Sequence, residues 1–199
     1  MGYASVFRPG LFQGQTIIVT GGGSGIGRCV AHELAALGAK VLITGRKLEK
    51  LEKTAAEIRE DGGTVAHYAF DIRDEDAVKN AIKQMLADHG QIHGLVNNAG
   101  GQYPMPLAMI NKKGWEAVVA NNLTGGFLVA RELYNQCLKK NGGAIVNMIA
   151  DMWGGMPGMG HSGAARAGML NFTETAAVEW GSSGVRVNAV APGWIASSG

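Results

Sequence analysis

The sequence predicts an α/β fold in which one doubly wound parallel sheet forms a single domain over residues 1–199. Short β-rich runs alternate with longer segments whose apolar residues recur at i, i+3 and i+4, as in successive βαβ units. A glycine-rich turn joins the first β-rich run to the first helical segment. The length of 199 residues suits one domain.

The elements follow one another in strict alternation. The predicted strands are Thr16–Thr20, Lys40–Thr44, Thr64–Ala69, Gly94–Asn97, Ala144–Met148 and Val185–Val190. The predicted helices are Ile26–Leu37, Leu48–Asp61, Glu75–Asp88, Lys113–Lys139 and His161–Gly181. The runs IIVT, AIVNM and VRVNAV are apolar at nearly every position, which favours a sheet covered on both faces.

Composition excludes several classes of function. The formal net charge is +2 and no run of Lys and Arg exceeds two residues, so we expect no nucleic-acid partner. No apolar run approaches the roughly 18 residues of a membrane span, and no signal peptide is evident. Cys29 and Cys137 lack the spacing of a disulfide framework or zinc site. We therefore expect a cytoplasmic protein with neither a metal nor a membrane partner.

The glycine-rich turn TGGGSGIG predicts a phosphate-binding site. It follows the first strand and opens the first helix, where glycines permit a tight turn and a close approach of backbone N–H groups to a diphosphate. This context favours a dinucleotide-binding fold of the Rossmann type. The residues expected to bind the cofactor here are Gly21, Ser24, Gly25, Ile26 and Gly27.

The end of the second strand indicates which dinucleotide is bound. NAD enzymes of this architecture usually present a carboxylate there, whereas a 2′-phosphate requires cationic groups. This chain has Arg46 and Lys47 at that place and no acidic residue. Arg46 can hold a phosphate through paired donors and Lys47 adds a charge, so the sequence predicts NADP(H).

Several motifs together resemble the short-chain dehydrogenase/reductase family. TGGGSGIG is followed, in order, by NNAG at residues 97–100, Asn122 within NNLTG, IVN at 145–147 and PGWI at 192–195. The segments PGLFQGQ, TGRKLEKL, NNAGGQY, HSGAARAG and VAPGWIASSG further resemble the branch of trans-2-enoyl-CoA and 2,4-dienoyl-CoA reductases. Bacterial citronellol dehydrogenases are a similar group.

The resemblance implies further cofactor contacts. Asp71 and Ile72, after the third strand, correspond to the family's adenine-binding residues. Asn98, Ala99 and Gly100 correspond to the adenosine side of the cofactor site. The family's contact with the nicotinamide carboxamide corresponds to Pro192, Gly193 and Ile195.

The family's usual catalytic set of Asn, Ser, Tyr and Lys is only partly present. Asn122 matches the asparagine. Ala150 stands at the serine place, His161 at the tyrosine place and Ala165 at the lysine place. The sequence therefore departs from the standard Tyr-x-x-x-Lys pattern.

The dienoyl-CoA reductase pattern fits differently. It implies Arg166 at the lysine place, Ser162 at the serine place and Asp151 at the tyrosine place. Arg166 could bind the nicotinamide ribose and stabilise an enolate-like oxygen, but a guanidinium is a poor proton shuttle. Asp151 and His161 are the candidate general acids, and the choice between them stays open. We also expect some of five methionines to line an apolar pocket: Met105, Met109, Met152, Met156 and Met159.

Three functions remain in competition. The first is reduction of the double bond of an enoyl-CoA type substrate, and the second is interconversion of a branched aliphatic alcohol and its aldehyde. The third is nucleotide binding without catalysis. The resemblance also implies a homodimer or homotetramer. In the family, a substrate lid and a last strand follow the PG motif, whereas this sequence ends at Gly199, so we expect it to be C-terminally incomplete.

Overall fold

The computed structural model describes residues 3–196. Within that range, six parallel strands form one sheet in the order β3-β2-β1-β4-β5-β6. The strands are β1 Thr16–Thr20, β2 Lys40–Gly45, β3 Thr64–Ala69, β4 Gly94–Asn97, β5 Gly143–Met148 and β6 Val185–Val190. The helices are α1 Gly25–Ala36, α2 Leu48–Glu60, α3 Glu75–His89, α4 Lys112–Val119, α5 Gly125–Leu133, α6 Lys139–Asn141 and α7 Gly160–Gly181.

The predicted fold class is confirmed. Four strands have the predicted bounds, and β2 and β5 are each one residue longer. The strand order reverses between β1 and β4, so their carboxyl ends border a crevice. Residues 1, 2 and 197–199 of the predicted single domain lie outside the described part of the chain.

The predicted helix Lys113–Lys139 is more complex than the sequence indicates. It begins at Lys112 and runs through α4, α5 and α6, which are joined by π-helical turns at Ala120–Thr124 and Tyr134–Leu138. Each such turn widens the helix locally. Asn122 lies in the first of these turns and is only 1% exposed.

Apolar side chains pack on both faces of the sheet. One cluster joins the sheet to α3 and α5 and includes Ile82, Leu133 and Ile145. The other joins it to α1 and α2 and includes Val41 and Ile58.

The expectation that VRVNAV is covered on both faces is wrong. Helix α7 packs against one face of β6. Arg186, Asn188 and Val190 are exposed, because β6 is an edge strand of the described sheet.

Among residues 3–196, no helix has both the length and the apolar character that crossing a membrane requires.

Candidate functional site

The glycine turn after β1 is held tightly against the end of β4. Gly21 has a φ of 68°, in the left-handed region that favours glycine. A Cβ on Gly21 would lie 2.9 Å from Asn98 Nδ2. Asn98 Nδ2 donates to the Thr20 carbonyl oxygen at 2.9 Å, and Thr20 Oγ1 accepts from the backbone N–H groups of Asn98 and Ala99. These bonds fix both sides of the crevice.

The start of α1 forms one wall of this crevice. Ser24 precedes the helix, and its side chain makes no capping hydrogen bond with the described residues. The first N–H groups of a helix lack intrahelical partners, so this end of α1 suits a phosphate anion. Gly27 lies behind the turn, where a side chain would collide with the Gly21 carbonyl group and the Asn98 amide. Gly27 therefore permits the close packing that the phosphate turn needs.

One compartment of the crevice lies between β1, β2 and β3 and suits the adenosine half of a dinucleotide. Arg46 and Lys47 line it, as predicted, together with Asp71 and Ile72. The Asp71 carboxylate is bound by Arg73, with Nε–Oδ1 at 2.9 Å, and this hydrogen bond lowers the pKa of Asp71. The exposed cations in the compartment thus face no free carboxylate among the described lining residues.

Lys50 also lines this compartment, and the sequence reasoning missed it. It lies in the first turn of α2, three residues after Lys47, which is the N-cap residue of that helix. That spacing was the available signal. Together with Arg46 the two lysines form the cationic group at the end of β2.

A second compartment suits the nicotinamide half. Its walls come from the glycine turn, the loop after β4, the end of β5, α7 and the segment after β6. Apart from Gly27, each predicted cofactor residue lines at least one of the two compartments. The predicted cofactor residues that line the second compartment are Gly21, Ser24, Gly25, Ile26, Asn98, Ala99, Gly100, Arg166, Pro192, Gly193 and Ile195.

Arg166 is the buried cation of the second compartment. The residue is only 9% exposed, and its Nη1 donates to the Met148 carbonyl oxygen at 2.6 Å. No carboxylate among residues 3–196 forms a salt bridge with it. Burial lowers its pKa to about 10, so the guanidinium stays charged at neutral pH. Its charge is available to a bound ligand.

Asn122 supports this compartment from behind. Its Nδ2 donates to the Gly101 carbonyl oxygen at 2.6 Å and to the Val118 carbonyl oxygen at 2.8 Å, while its Oδ1 accepts from Gly101 N–H at 3.1 Å. The π-helical turn directs this side chain inward. Asn122 therefore fixes the backbone of the loop after β4, and it is absent from the walls of the compartments described.

His161 and Ser162 lie in the first turn of α7, and both are fully buried. The His161 ring packs edge to face against Tyr103, with 4.8 Å between the ring centroids. His161 Nε2 has no hydrogen-bond partner among the described residues. Contrary to expectation, His161 does not border the crevice in this conformation, because Tyr103 covers it. Ser162 instead donates its hydroxyl to Gln102 Oε1.

A third compartment adjoins the second and suits the substrate. Asp151 lines it and is exposed, and its backbone N–H donates to the Pro192 carbonyl oxygen at 3.2 Å. Of the five methionines predicted for an apolar pocket, Met156 and Met159 lie in its wall. The other three, Met105, Met109 and Met152, do not. The compartment therefore combines an apolar wall with one carboxyl group.

The fold and crevice define a dinucleotide-binding oxidoreductase. The chain belongs to the short-chain dehydrogenase family, whose model, described as short chain dehydrogenase, matches residues 15–199. Enzymes of this family use NAD or NADP. The resemblance that the sequence motifs indicate is confirmed.

Particular relatives come from two branches of the family. The chain is 72% identical to a citronellol catabolism dehydrogenase of Pseudomonas aeruginosa PAO1, with a TM-score of 0.95, covering 98% of this chain and 80% of that one. It is 40% identical to a probable 2,4-dienoyl-CoA reductase of Bacillus subtilis, covering 93% of this chain and 74% of the relative. It is 36% identical to a probable 2,4-dienoyl-CoA reductase of Caenorhabditis elegans, covering 98% of this chain and 64% of the relative.

Proposed function

We propose that this oxidoreductase uses NADPH to reduce a carbon–carbon double bond conjugated to an acyl thioester, as in an enoyl-CoA. One observation carries the proposal. A buried and unpaired cation, Arg166, faces the nicotinamide compartment, whereas the side chain at the family's tyrosine place, His161, borders none of the three described compartments. Such a site is better suited to stabilising an enolate than to delivering a proton to a carbonyl oxygen.

The preference for NADPH rests on the adenosine compartment. Arg46, Lys47 and Lys50 line it, while the Asp71 carboxylate is engaged by Arg73. A 2′-phosphate adds negative charge at this place, which a cluster of cations favours. The diphosphate fits the glycine turn at the start of α1, where a Cβ on Gly21 would meet Asn98.

In the proposed reduction, Arg166 and Asn122 have different roles. When bound, NADPH supplies a hydride for the β-carbon of the substrate, and the electrons of the double bond move to form an enolate. Arg166 stabilises the enolate charge through its buried guanidinium, which the Met148 carbonyl oxygen holds in place. Asn122 fixes the adjoining loop through Gly101.

The α-carbon must then receive a proton so that the carbonyl group re-forms. Asp151 lies in the substrate compartment and is exposed, so it can exchange protons with water. Asp151 relays this proton from the solvent: the carboxyl group gives its proton to the α-carbon, becomes a carboxylate and then takes up one proton from the solvent. The product is the saturated thioester, and the nicotinamide is left oxidised.

A second candidate is oxidation of a branched aliphatic alcohol, or the reverse reduction of its aldehyde. The 72% identity to a citronellol catabolism dehydrogenase favours it. This chemistry needs a group that exchanges a proton with the substrate oxygen itself. Since Tyr103 covers His161, that histidine would serve only if the Tyr103 ring moved aside.

Parallel assays separate the two candidates. The full chain is given NADPH with a series of trans-2-enoyl-CoA esters, and NADP⁺ with long and branched aliphatic alcohols. We expect NADPH oxidation with the thioesters and a saturated product by mass spectrometry. Turnover of the alcohols alone would favour the second candidate, and NADPH binding without turnover of either class would overturn both.

We further propose that the chain forms a homodimer or homotetramer in the cytoplasm. Tyr134 and Trp180 stack at 4.3 Å between ring centroids, and Phe172 packs against Trp180. Val178 lies on the same helix, α7, and is 83% exposed. Light scattering after size-exclusion chromatography measures the assembly, and Val178→Lys is expected to shift it towards the monomer if this face is buried between copies.

A further inference from the structure

A chain of buried polar side chains joins β4, β5 and α7 near the carboxyl ends of the two strands. Asn97 is the last residue of β4, and Asn147 is its register partner on β5. Asn97 Nδ2 donates to Asn147 Oδ1 at 3.1 Å, and Asn147 Nδ2 donates to Thr173 Oγ1 on α7 at 2.9 Å. The most exposed of the three residues is only 4% exposed. The chain therefore crosses from strand to strand to helix almost out of contact with solvent.

Both ends of this polar chain are anchored on backbone oxygens. Asn97 Nδ2 also donates to the Gly126 carbonyl oxygen on α5 at 2.8 Å, and the Thr173 hydroxyl donates to the Met169 carbonyl oxygen at 2.7 Å. A Cβ on Gly126 would lie 2.6 Å from Met169 Cε, so α5 and α7 pack closely here. Because the Thr173 hydroxyl donates to one group and accepts from another, its orientation is fixed.

The two partners of the Arg166 hydrogen bond both adjoin this polar chain. Met148, whose carbonyl oxygen accepts from Arg166, directly follows Asn147 in β5. Arg166, Met169 and Thr173 are spaced by three and then four residues on α7, so they share one helix face. The hydrogen bond between Asn147 and Thr173 therefore ties the strand that carries the acceptor to the helix that carries the donor.

Stability alone does not account for these polar side chains. Apolar groups of the same shape can often replace a buried hydrogen-bonded pair at little cost. Within residues 3–196, Asn97 Oδ1 is even buried without a hydrogen-bond partner, which is unfavourable. Hydrogen bonds are directional, however, whereas apolar contacts are not. A pair of bonds between specified atoms therefore selects one position of α7 along β5.

We propose that Thr173 is a positioning residue of the candidate active site, which acts through Asn147 to hold Arg166 at the end of β5. The inference rests on the proposed function, in which Arg166 stabilises the enolate. Thr173 itself lines none of the three described compartments. Its effect on the reaction is therefore carried by the helix and by the guanidinium group.

Thr173→Val tests the proposal because it removes the hydroxyl and nearly preserves the shape. Asn147 loses its acceptor, and α7 is no longer fixed against β5. We expect kcat for enoyl-CoA reduction to fall about 10-fold as Arg166 is displaced by a fraction of an ångström. KM should change little, because the enolate charge develops only in the transition state.

Thr54→Val is the matched control. Thr54 is also a buried helical threonine, 1% exposed on α2, but its hydroxyl has no hydrogen-bond partner among the described residues. This variant should keep wild-type kcat and KM. If Thr173→Val does the same, the proposal is wrong.

Thr173→Ser and Thr173→Ala keep the test decisive even if the valine variant folds poorly. These two variants differ from each other only in the hydroxyl group. The serine variant should retain kcat to within about threefold of wild type, and the alanine variant should not. Equal kcat in the two variants would overturn the inference.

The effect of Thr173 must also depend on Arg166. In an Arg166→Met background, the addition of Thr173→Val should change kcat by less than about twofold, because no guanidinium is left to position. A further loss of about 10-fold would mean that Thr173 acts independently of Arg166, which contradicts the proposal.

A spectroscopic readout separates failure of this inference from failure of the proposed function. In the ¹⁵N-labelled full chain with NADP⁺, the guanidinium Nε–H signal of Arg166 is identified by its absence from Arg166→Met. Thr173→Val should shift this signal or hasten its exchange with water, whereas Thr54→Val should not. An unmoved signal overturns the inference, whatever substrate is reduced. A displaced signal in a protein that turns over no enoyl-CoA ester supports the placement of Arg166 and counts against the proposed function alone.

Discussion

Arg166 Nη1 lies 2.6 Å from the carbonyl oxygen of Met148, the last residue of β5. This bond ties a helix cation to the carboxyl end of a central strand, at the edge of the crevice. Burying a charge without an ionic partner is unfavourable, and burial accordingly lowers the pKa of Arg166 to about 10. The arrangement costs stability in the free protein and becomes favourable when an anionic ligand or transition state is present.

Replacement of Arg166 by methionine is expected to separate activity from stability. Loss of the charge should lower NADPH-dependent reduction about 10²-fold or more. Because an unpaired buried cation is removed, the midpoint of thermal unfolding should rise or stay within about 4 °C of wild type. Enzyme assays and calorimetry measure the two effects.

Arg59→Met provides the matched control for this substitution. Arg59 Nη2 also donates to a backbone carbonyl oxygen, that of Val65 at 3.2 Å, but Arg59 lies on α2 and does not line the described compartments. The Arg59→Met variant should keep full activity. Wild-type rates in Arg166→Met would contradict the assignment of the enolate charge to Arg166.

Gly100 lies where Arg166 and Asn122 approach each other. A Cβ on Gly100 would lie 2.5 Å from Arg166 Nη2 and 2.6 Å from Asn122 Oδ1. Gly100→Ala must displace one or both side chains, so we expect a loss of kcat of about 10²-fold. The neighbouring Gly101→Ala meets only Asn121 Nδ2, at 3.1 Å, and should retain most activity. Equal activity of the two variants would show that the position of Arg166 does not matter to the reaction.

The cationic group at the end of β2 predicts the cofactor preference. Arg46→Ala and Lys50→Ala should each weaken NADPH binding by about 1 to 3 kcal/mol and leave NADH binding nearly unchanged, because only the 2′-phosphate loses a charged partner. Lys53→Ala is the control, since Lys53 is exposed on the same helix but does not line the adenosine compartment. Isothermal titration with both cofactors measures the ratio. A parallel loss of NADH affinity would count against a 2′-phosphate site.

Much of the fold was predictable because its signals are local. The apolar strands and the helical spacing between them determine the order of elements, and the glycine turn has its own sequence pattern. The exposed face of β6 was missed although the sequence carries a signal for it, because Arg186 and Asn188 alternate with buried valines in the period-2 pattern of a strand with one exposed face. The exposure of Val190 depends on the sheet order, which places β6 at an edge.

Site residues were predictable where a short sequence motif specifies them. They were not predictable where contacts between distant parts of the chain determine their surroundings. The residues that line the first two compartments mostly follow from short patterns next to strand ends. The burial of His161 depends on Tyr103, 58 positions earlier in an irregular loop, and no periodic pattern links the two. The hydrogen bond from Ser162 to Gln102 was missed for the same reason, because 60 positions separate the two residues. The inward side chain of Asn122 results from a π-helical turn within an otherwise ordinary helical pattern.

Asp151 tests the final step of the proposed reaction. It is the carboxyl group that lines the substrate compartment among the described residues, and the amide in Asp151→Asn cannot donate an acidic proton. We expect kcat to fall about 10²- to 10⁴-fold while NADPH affinity is unchanged. The solvent isotope effect on kcat should increase, because protonation of the α-carbon becomes slower than hydride transfer.

Two control variants show whether the effect of Asp151→Asn comes from loss of the carboxyl group at this position. Asp76→Asn changes the same functional group at an exposed position on α3 that lines none of the three compartments, and it should leave kcat unaltered. Asp151→Glu retains a carboxyl group and should recover part of the activity, with the solvent isotope effect moving back towards wild type. If Asp151→Asn keeps wild-type turnover with enoyl-CoA esters, the proton comes directly from water. If its turnover is lost with alcohols alone, Asp151 acts on the substrate oxygen, and the second candidate function is favoured.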